Sequence, residues 1–289
     1  MPFPALHTFL GREEADVVSS MPIWTDARGQ AFGRFFRSTL TSAFQAIHST
    51  DGSVDGLLGY EAFARSHSQS GNGLYLWRLL DHAASDEVSV TLDRLCRVLH
   101  AINFFRQPPS EGADLYLHVH TRLLAAVERN HGETFRQALR ALELPQERIV
   151  LQLPAVPGDK AWLLEYFADN YRRNGFRVAI NTSDIAQALH FAQQLRPEAV
   201  KVDSRHAADQ DALLKLLGKA ATCGVQVIFK RVESQASHDA LARAARLAGV
   251  PLHVQGFLLD IPGGMLPARV RIAEWQSSTD KLQSAAIHA

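Results

Sequence analysis

The pattern of apolar residues predicts an alternation of strands and helices over most of the chain. Short, nearly continuous apolar runs are separated by longer stretches in which apolar residues recur every three or four positions. The first pattern is typical of buried strands and the second of amphipathic helices. The predicted strands in this part of the chain are 115–119, 149–153, 176–181, 198–202, 225–229 and 252–255. Strand and helix alternating at this spacing favour a parallel sheet with its helices outside.

The helices between these strands are predicted from apolar residues that share one face. After strand 149–153, the residues Trp162, Leu163, Tyr166 and Phe167 are expected to face the core, in a helix capped by Asp159. The other helices are built on Phe135, Ala138, Leu139 and Leu142, on Ile185, Ala188, Leu189 and Ala192, on Leu213, Leu216, Leu217 and Ala220, and on Leu241, Ala244, Ala245 and Ala248 before Gly249.

The strand, helix and strand between residues 176 and 202 form the clearest unit. This order implies parallel strands joined by a right-handed crossover. In a barrel of such units, the catalytic residues lie at the C-terminal ends of the strands. The residues at these ends are Asn181, Thr182, Ser183 and Asp184 after the first strand, and Lys201, Val202 and Asp203 at the second.

The first part of the chain is less regular. Residues 1–30 show no clear period and contain three prolines, which predicts an extension. Three phenylalanines between residues 32 and 36 recur at helical spacing. The runs 43–48 and 57–64 flank a polar turn and predict an antiparallel hairpin. A helix follows, with Leu92, Leu95, Cys96 and Leu99 on one face.

Length and composition fit one closed α/β barrel. The chain has 289 residues, of which 46% are hydrophobic, enough for one large core. A doubly wound open sheet is the alternative, although the sequence has no glycine-rich dinucleotide loop. We therefore predict an N-terminal extension at 1–35, a barrel domain at 36–265, and a C-terminal helix and tail at 266–289.

Charge limits the kinds of binding partner, and cysteine content indicates the cellular compartment. Thirty basic residues balance thirty acidic ones, so no overall field attracts a nucleic acid polymer or an anionic membrane. No apolar run is long enough to span a membrane. The two cysteines, Cys96 and Cys223, lie in helical patterns and are typical of buried thiols in a reducing compartment. We expect a soluble cytoplasmic protein.

An ordered series of short motifs resembles the bacterial EAL domains, which hydrolyse or bind cyclic di-GMP. The resemblance covers roughly residues 40–265. It implies a modified TIM-like (β/α) barrel whose first hairpin is antiparallel. The matching segments are Gln45 followed by Ala46-Ile47, the signature Glu61-Ala62-Phe63, Val200-Lys201-Val202-Asp203, Val232-Glu233, and Val254-Gln255-Gly256-Phe257 with Pro262 after it.

The same resemblance implies that the metal site has been lost. Active members of the family hold two divalent cations between carboxylates. At the corresponding positions this chain has His118, Gln152, Asn181, Thr182 and Lys230. The carboxylates left are Glu61 and, at a position that supports the family's ligands, Glu233. We therefore predict no catalytic residue, no cofactor and no bound metal, as expected of a pseudoenzyme.

Charge at these positions supports two interpretations. In the first, Lys230 occupies the former metal position and pairs with Glu61, which keeps a former active site folded. In the second, cations contact the phosphates of cyclic di-GMP without metal. The candidates for this ligand site are Lys201, Lys230, Arg65 and His118, with Glu61 and Glu233 beside them and Gln45 and Gln255 as polar contacts at the rim.

Two further patterns are weaker. His118 and His120 alternate along a strand and could supply two zinc ligands, but spacing identifies no third. Ser183 and Asp184 could belong to a nucleophilic site, but nothing places a base beside the serine.

The sequence therefore predicts a catalytically inactive EAL-like regulatory module that acts through contacts with a regulatory partner protein. Exposed arginines on the helices, such as Arg136 and Arg140, are candidates for such contacts, and a homodimer stays open. The main alternative is a metal-independent cyclic di-GMP receptor, and the more distant one is an active phosphodiesterase.

Overall fold

A computed structural model describes residues 22–51, 56–67, 85–120, 131–157 and 160–267 of the chain. The strands are β1 (Ile23–Thr25), β2 (Ala31–Phe35), β3 (Ser38–Ser49), β4 (Leu57–His67), β5 (Asp114–His118), β6 (Ile149–Leu153), β7 (Arg177–Asn181), β8 (Ala199–Asp203), β9 (Gln226–Lys230) and β10 (His253–Val254). The helices are α1 (Asp86–Phe105), α2 (His131–Ala141), α3 (Ala161–Arg173), α4 (Ile185–Gln194), α5 (Gln210–Thr222) and α6 (Gln235–Ala248).

The strands from β3 to β10 close into a barrel. Each strand from β4 to β9 pairs in parallel with the next. β3 runs antiparallel to both β4 and β10 and so joins the two ends of the sheet. β1 and β2 add an antiparallel extension at β3. The predicted closed barrel with an antiparallel first hairpin is confirmed, and the open sheet is wrong.

Most of the predicted strands and helices lie where the periodicity places them. β6 coincides with the predicted run 149–153. α6 ends at Gly249, whose left-handed backbone (φ 65°) stops the helix as expected. Both cysteines are free thiols, Cys96 buried and Cys223 half-buried.

The helical spacing of the three phenylalanines between residues 32 and 36 is misleading. Residues Ala31–Phe35 form β2, and exposed Phe36 lies in the turn to β3 with φ 51°. Two strands, β1 and β2, therefore lie in the stretch predicted as an N-terminal extension. The domain division stays a prediction, because residues 1–21 and 268–289 lie outside the described residues.

The predicted buried face of α3 is partly wrong. The helix buries Leu164, Phe167, Ala168 and Tyr171, whereas Trp162 and Tyr166 are 60% and 45% exposed. Both sets of residues fit a helical period, and sequence spacing alone did not choose between them. Lys160 occupies the N-cap position without a side-chain cap, and Asp159 lies outside the described residues.

A buried histidine between α1 and β3 predicts a pH dependence of stability. His100 Nδ1 lies 2.7 Å from Ser42 Oγ. Burial, and then the charge of His118, lowers the pKa of His100 from 6.5 to about 3. The unfolded chain therefore takes up a proton below pH 6.5 that the folded protein does not bind. Stability from this group is present above pH 6.5 and is lost as the pH falls towards 3.

We expect His100→Gln to flatten the decline in unfolding free energy between pH 6.5 and 5 by up to about 1.4 kcal/mol per pH unit. Urea denaturation at a series of pH values measures this slope. His190→Gln, at an exposed position on α4, is the matched control and should leave the slope unchanged. Equal slopes in wild type and His100→Gln would contradict the assignment.

Candidate functional site

Polar side chains lie inside the barrel above an apolar floor. The floor is formed by Ile47, Tyr116, Val150, Ala179, Ala199 and Ile228. Because side chains alternate along a strand, residues two positions apart face the same way. Two positions beyond the floor, the inward residues of β5 to β9 are His118, Gln152, Asn181, Lys201 and Lys230. Together with Gln45 of β3, Glu61 of β4 and Gln255 after β10, we call these residues the mouth cluster.

Glu61 is the centre of the mouth cluster. It is 5% exposed, and its Oε2 accepts a hydrogen bond from Lys201 Nζ at 2.7 Å. Its other oxygen, Oε1, contacts His118 Nε2 and accepts a bond from Gln152 Nε2 at 3.2 Å. Lys201 is fully buried and also donates to Gln255 Oε1 at 3.0 Å. The carboxylate and the ammonium therefore neutralise each other in the interior of the barrel.

The partners of Glu61 hold it in the ionised form. Burial acts to raise the pKa of its carboxyl, but the charges and hydrogen bonds of Lys201 and His118 outweigh burial. The pKa of Glu61 consequently lies well below its usual range. The Tyr116 ring lies beneath the ammonium, with its centroid 5.8 Å from Lys201 Nζ. A negative ring face at this distance adds a weak attraction for the cation.

The predicted pair between Lys230 and Glu61 is not present. Lys230 Nζ instead donates to Asn181 Oδ1 at 2.8 Å. The strand register explains the difference, because Lys230 lies opposite Asp203, whereas Lys201 lies opposite Ile228. Lys230 is therefore two residues nearer to the barrel mouth than Lys201. Burial, and then the charge of Lys201, lowers the pKa of Lys230.

Two glutamines, Gln45 and Gln255, lie at the edge of the mouth cluster where β3 and β10 meet. Gln45 Nε2 donates to the backbone oxygen of Asp260 at 2.7 Å. Gln255 is followed by Gly256, where the backbone passes very close to Val232. A Cβ at position 256 would lie 2.1 Å from the Val232 oxygen. Glycine is therefore required for this contact between the segments that follow β9 and β10.

Three predicted site residues lie outside the mouth cluster. Thr182 is buried and donates to the backbone oxygen of Lys201 at 3.1 Å. Arg65 is exposed, four residues beyond Glu61 on the same face of β4. Glu233 is exposed, and its charge acts on Arg205. Within the described parts of the chain, none of the three forms a hydrogen bond or ion pair with Glu61.

An ion cluster that the sequence does not predict lies on the rim between β8 and β9. Arg205 Nε and Nη2 donate to the two oxygens of Asp203 at 2.9 and 2.8 Å, and Arg231 Nη1 lies 3.4 Å from the same carboxylate. The hydrogen bonds from Arg205 lower the pKa of Asp203 to about 2. The sequence signal was the position of Asp203 two residues after Lys201. The pairing with arginines depends on loop geometry that spacing does not give.

The weaker sequence hypotheses gain no support. The backbone nitrogen of His120 donates to Asp93 of α1, and His120 lies beyond the end of β5. Over the described ranges, no group of three or more histidine, cysteine, aspartate or glutamate side chains could hold a metal ion. The side chain of Asp184 caps α4 by accepting from the Gln187 nitrogen. Asp184 is thus engaged at the helix N-terminus and is not directed at Ser183.

The donor set of the mouth cluster does not fit a pair of divalent cations. Hard cations bind best to several anionic oxygens. Here Glu61 supplies one carboxylate, and both of its oxygens are already engaged by Lys201, His118 and Gln152. A second ammonium, that of Lys230, lies near the same carboxylate. Positive charge and amide groups therefore stand where such a site would require negative oxygens.

The structural comparisons show the same fold in several solved proteins. The EAL-domain protein YkuI of Bacillus subtilis, in complex with c-di-GMP and calcium, gives a TM-score of 0.64 at 19% identity, covering 86% of this chain and 65% of that one. The FimX EAL domain of Pseudomonas aeruginosa bound to c-di-GMP gives 0.61 at 20% identity, covering 79% and 93%. BlrP1 of Klebsiella pneumoniae, with manganese and c-di-GMP, gives 0.61 at 17% identity, covering 78% and 56%.

This chain corresponds to only part of some of these proteins. It spans 65% and 56% of the lengths of YkuI and BlrP1. No curated protein matches it. Among the helices that the structure describes, none is both long and apolar enough to cross a membrane.

The family is identified by its sequence model. The model for the EAL domain matches residues 31–260, a range that includes every strand of the barrel. The chain therefore belongs to the EAL domain family.

Proposed function

We propose that this protein is a catalytically inactive regulatory module of bacterial cyclic di-GMP signalling that acts through contact with a partner protein. The observation that carries the proposal is the donor set around Glu61, in which the ammonium of Lys230 and the amides of Asn181 and Gln152 stand at positions where the family resemblance places carboxylates. The charge of Glu61 is balanced inside the barrel by Lys201, with His118 on the other carboxylate oxygen. Glu61 is the one carboxylate of the mouth cluster, and three contacts already engage its two oxygens.

Electrostatics argues against metal-dependent hydrolysis in this barrel. Two unit charges 4 Å apart interact by about 4 kcal/mol at an effective dielectric of about 20. The interaction doubles for a divalent ion, and here Lys230, which stands at a replaced metal position, would repel it. Metal-dependent phosphodiester hydrolysis needs the cation to generate hydroxide and to stabilise the phosphoryl oxygens. Without a divalent cation to generate hydroxide, the mouth cluster supplies no nucleophile of its own.

A second candidate function is metal-independent binding of cyclic di-GMP. It is supported by Lys230, a half-buried cation whose partner is the neutral amide of Asn181. Arg205 and Arg231 add exposed positive charge on the adjacent rim. Cations of this kind form charge-assisted hydrogen bonds to phosphate. YkuI and FimX, which share the fold, are described in complex with c-di-GMP.

Calorimetric titration with cyclic di-GMP, in EDTA and again in Mg²⁺, separates these functions. The mixture is then analysed for linear product. We expect no turnover in either buffer. Absence of binding supports action through protein contacts alone, whereas equal binding in both buffers supports the receptor. In the latter case, Lys230→Met should weaken binding, and Leu247→Gln, on the exposed side of α6, should not. Binding that requires Mg²⁺, or any hydrolysis, would contradict the proposed inactivity.

A further inference from the structure

The outer face of α3 carries two exposed aromatic residues. Trp162 and Tyr166 are 60% and 45% exposed, and they lie one helical turn apart. The opposite face of the helix already fills the core with Leu164, Phe167 and other apolar side chains. Trp162 and Tyr166 are therefore not needed to hold α3 on the barrel. Tyrosine and tryptophan are enriched at protein interfaces, where a few such residues supply most of the binding energy.

Two exposed carboxylates share this face. Glu165 and Asp169 lie three and seven positions after Trp162, and residues at this spacing lie on one side of a helix. Neither carboxylate forms an ion pair with another described residue. The positive charges that come next along the helix are Arg172 and Arg173 in its last turn, and Arg172 donates to the backbone oxygens of Leu195 and Arg196. The aromatic pair is thus flanked by negative charge.

We propose that Trp162, Glu165, Tyr166 and Asp169 form a docking face for a basic segment of a partner protein. We call these residues the α3 face. Arginine or lysine side chains of the partner stack on the aromatic rings and pair with the carboxylates. The inference names the contact surface for the proposed function and rests on it. It places that surface on the outside of the barrel, away from the mouth cluster.

The charge of the α3 face distinguishes a basic partner from other occupants. A symmetric dimer formed through this face would bring Glu165 and Asp169 of both copies into one interface, which doubles the number of carboxylates there. Like charges placed opposite each other oppose association. An anionic membrane surface is disfavoured for the same reason. A segment rich in arginine or lysine complements both the aromatic and the acidic groups.

The test uses the full chain and a fluorescently labelled amphipathic peptide with arginines at helical spacing. A matched peptide with glutamate in place of arginine is the probe control. Fluorescence anisotropy should show salt-sensitive binding of the arginine peptide only. We expect Trp162→Ala/Tyr166→Ala to weaken binding about tenfold or more, and Glu165→Lys/Asp169→Lys to weaken it further. Leu247→Ala, which truncates a side chain that is 67% exposed on α6, should bind like wild type.

Several results would overturn the proposal. Equal affinity of wild type and both α3-face variants would do so, as would equal binding of the two peptides or no binding of either. Circular dichroism of each variant verifies that it is folded. Sedimentation of the chain alone tests whether a second copy occupies the α3 face. If the chain is a dimer and Trp162→Ala dissociates it, the face binds a second copy and the proposed basic partner is wrong. The proposed function fails separately, through turnover of cyclic di-GMP, whatever the peptide result.

Discussion

Replacing Lys201 with methionine is expected to lower the free energy of unfolding by about 3–5 kcal/mol. The ammonium is fully buried and donates to Glu61 and Gln255. Removing it leaves a buried carboxylate with His118 and Gln152 as its remaining partners. The cost arises from the uncompensated charge more than from lost packing, because methionine retains most of the side-chain volume. Chemical denaturation measures the change directly.

Lys230→Met provides the matched control for this prediction. Lys230 is only half-buried and its partner, Asn181, is neutral, so we expect a change within about 1 kcal/mol. The double variant Glu61→Gln/Lys201→Met removes both charges and should recover much of the lost stability. The coupling energy from that cycle isolates the pair. Equal losses for the two lysine variants would show that Lys201 has no special role.

The ion pair between Glu61 and Lys201 should also affect how the free energy of unfolding decreases at acidic pH. The pKa of Glu61 is lowered in the folded state from an ordinary value of 4.5. The unfolded chain therefore binds a proton first as the pH falls, and the stabilisation, complete above pH 4.5, is lost below it. In Glu61→Gln this part of the acid dependence should disappear.

Restoring carboxylates at the barrel mouth is expected to create Mg²⁺ binding. In Asn181→Asp/Thr182→Asp/Lys230→Glu, acidic groups replace Asn181 and Lys230, whose polar atoms lie 2.8 Å apart, and the neighbouring Thr182. Carboxylates this close repel one another without a cation and bind one well. At an Mg²⁺ concentration 100 times the dissociation constant, the stabilisation is about 2.7 kcal/mol. This corresponds to a rise in Tm of about 5–10 °C for a domain of this size.

Thermal unfolding in Mg²⁺ and in EDTA provides the measurement, supported by calorimetric titration of the metal. Lys230→Gln, which removes the ammonium without adding a carboxylate, is the control and should show no Mg²⁺-dependent shift. A folded triple variant that melts at the same temperature in both buffers would show that residues 181, 182 and 230 do not correspond to the family's metal positions.

Most strands and helices of the barrel could be predicted from the sequence because they depend on local periodicity, and the family resemblance implied how the barrel closes. The run 149–153 became β6 without change, and the antiparallel hairpin followed from two apolar runs around a turn. α3 shows the limit of this reasoning. Residues 162, 163, 166 and 167 fit a buried stripe as well as the stripe that is actually buried, and tertiary packing decides between them.

The positions of the mouth cluster could be predicted, but their contacts could not. Lys201 and Lys230 both lie near the C-terminal ends of strands, and either could pair with Glu61 on sequence alone. The choice depends on how far β9 is shifted along β8, since Lys230 lies opposite Asp203. That register is fixed by packing between strands distant in sequence. The arginines around Asp203 were missed for a related reason, because the loops after β8 and β9 bring them together.

The contact between Lys201 and Glu61 has a consequence for how this barrel responds to the cell. A site made of crowded carboxylates is complete only when metal ions are supplied, so its shape varies with their concentration. In this chain the compensating positive charge is covalently attached and fully enclosed. Under the proposed function, the geometry of the mouth is therefore set during folding and does not depend on the supply of magnesium.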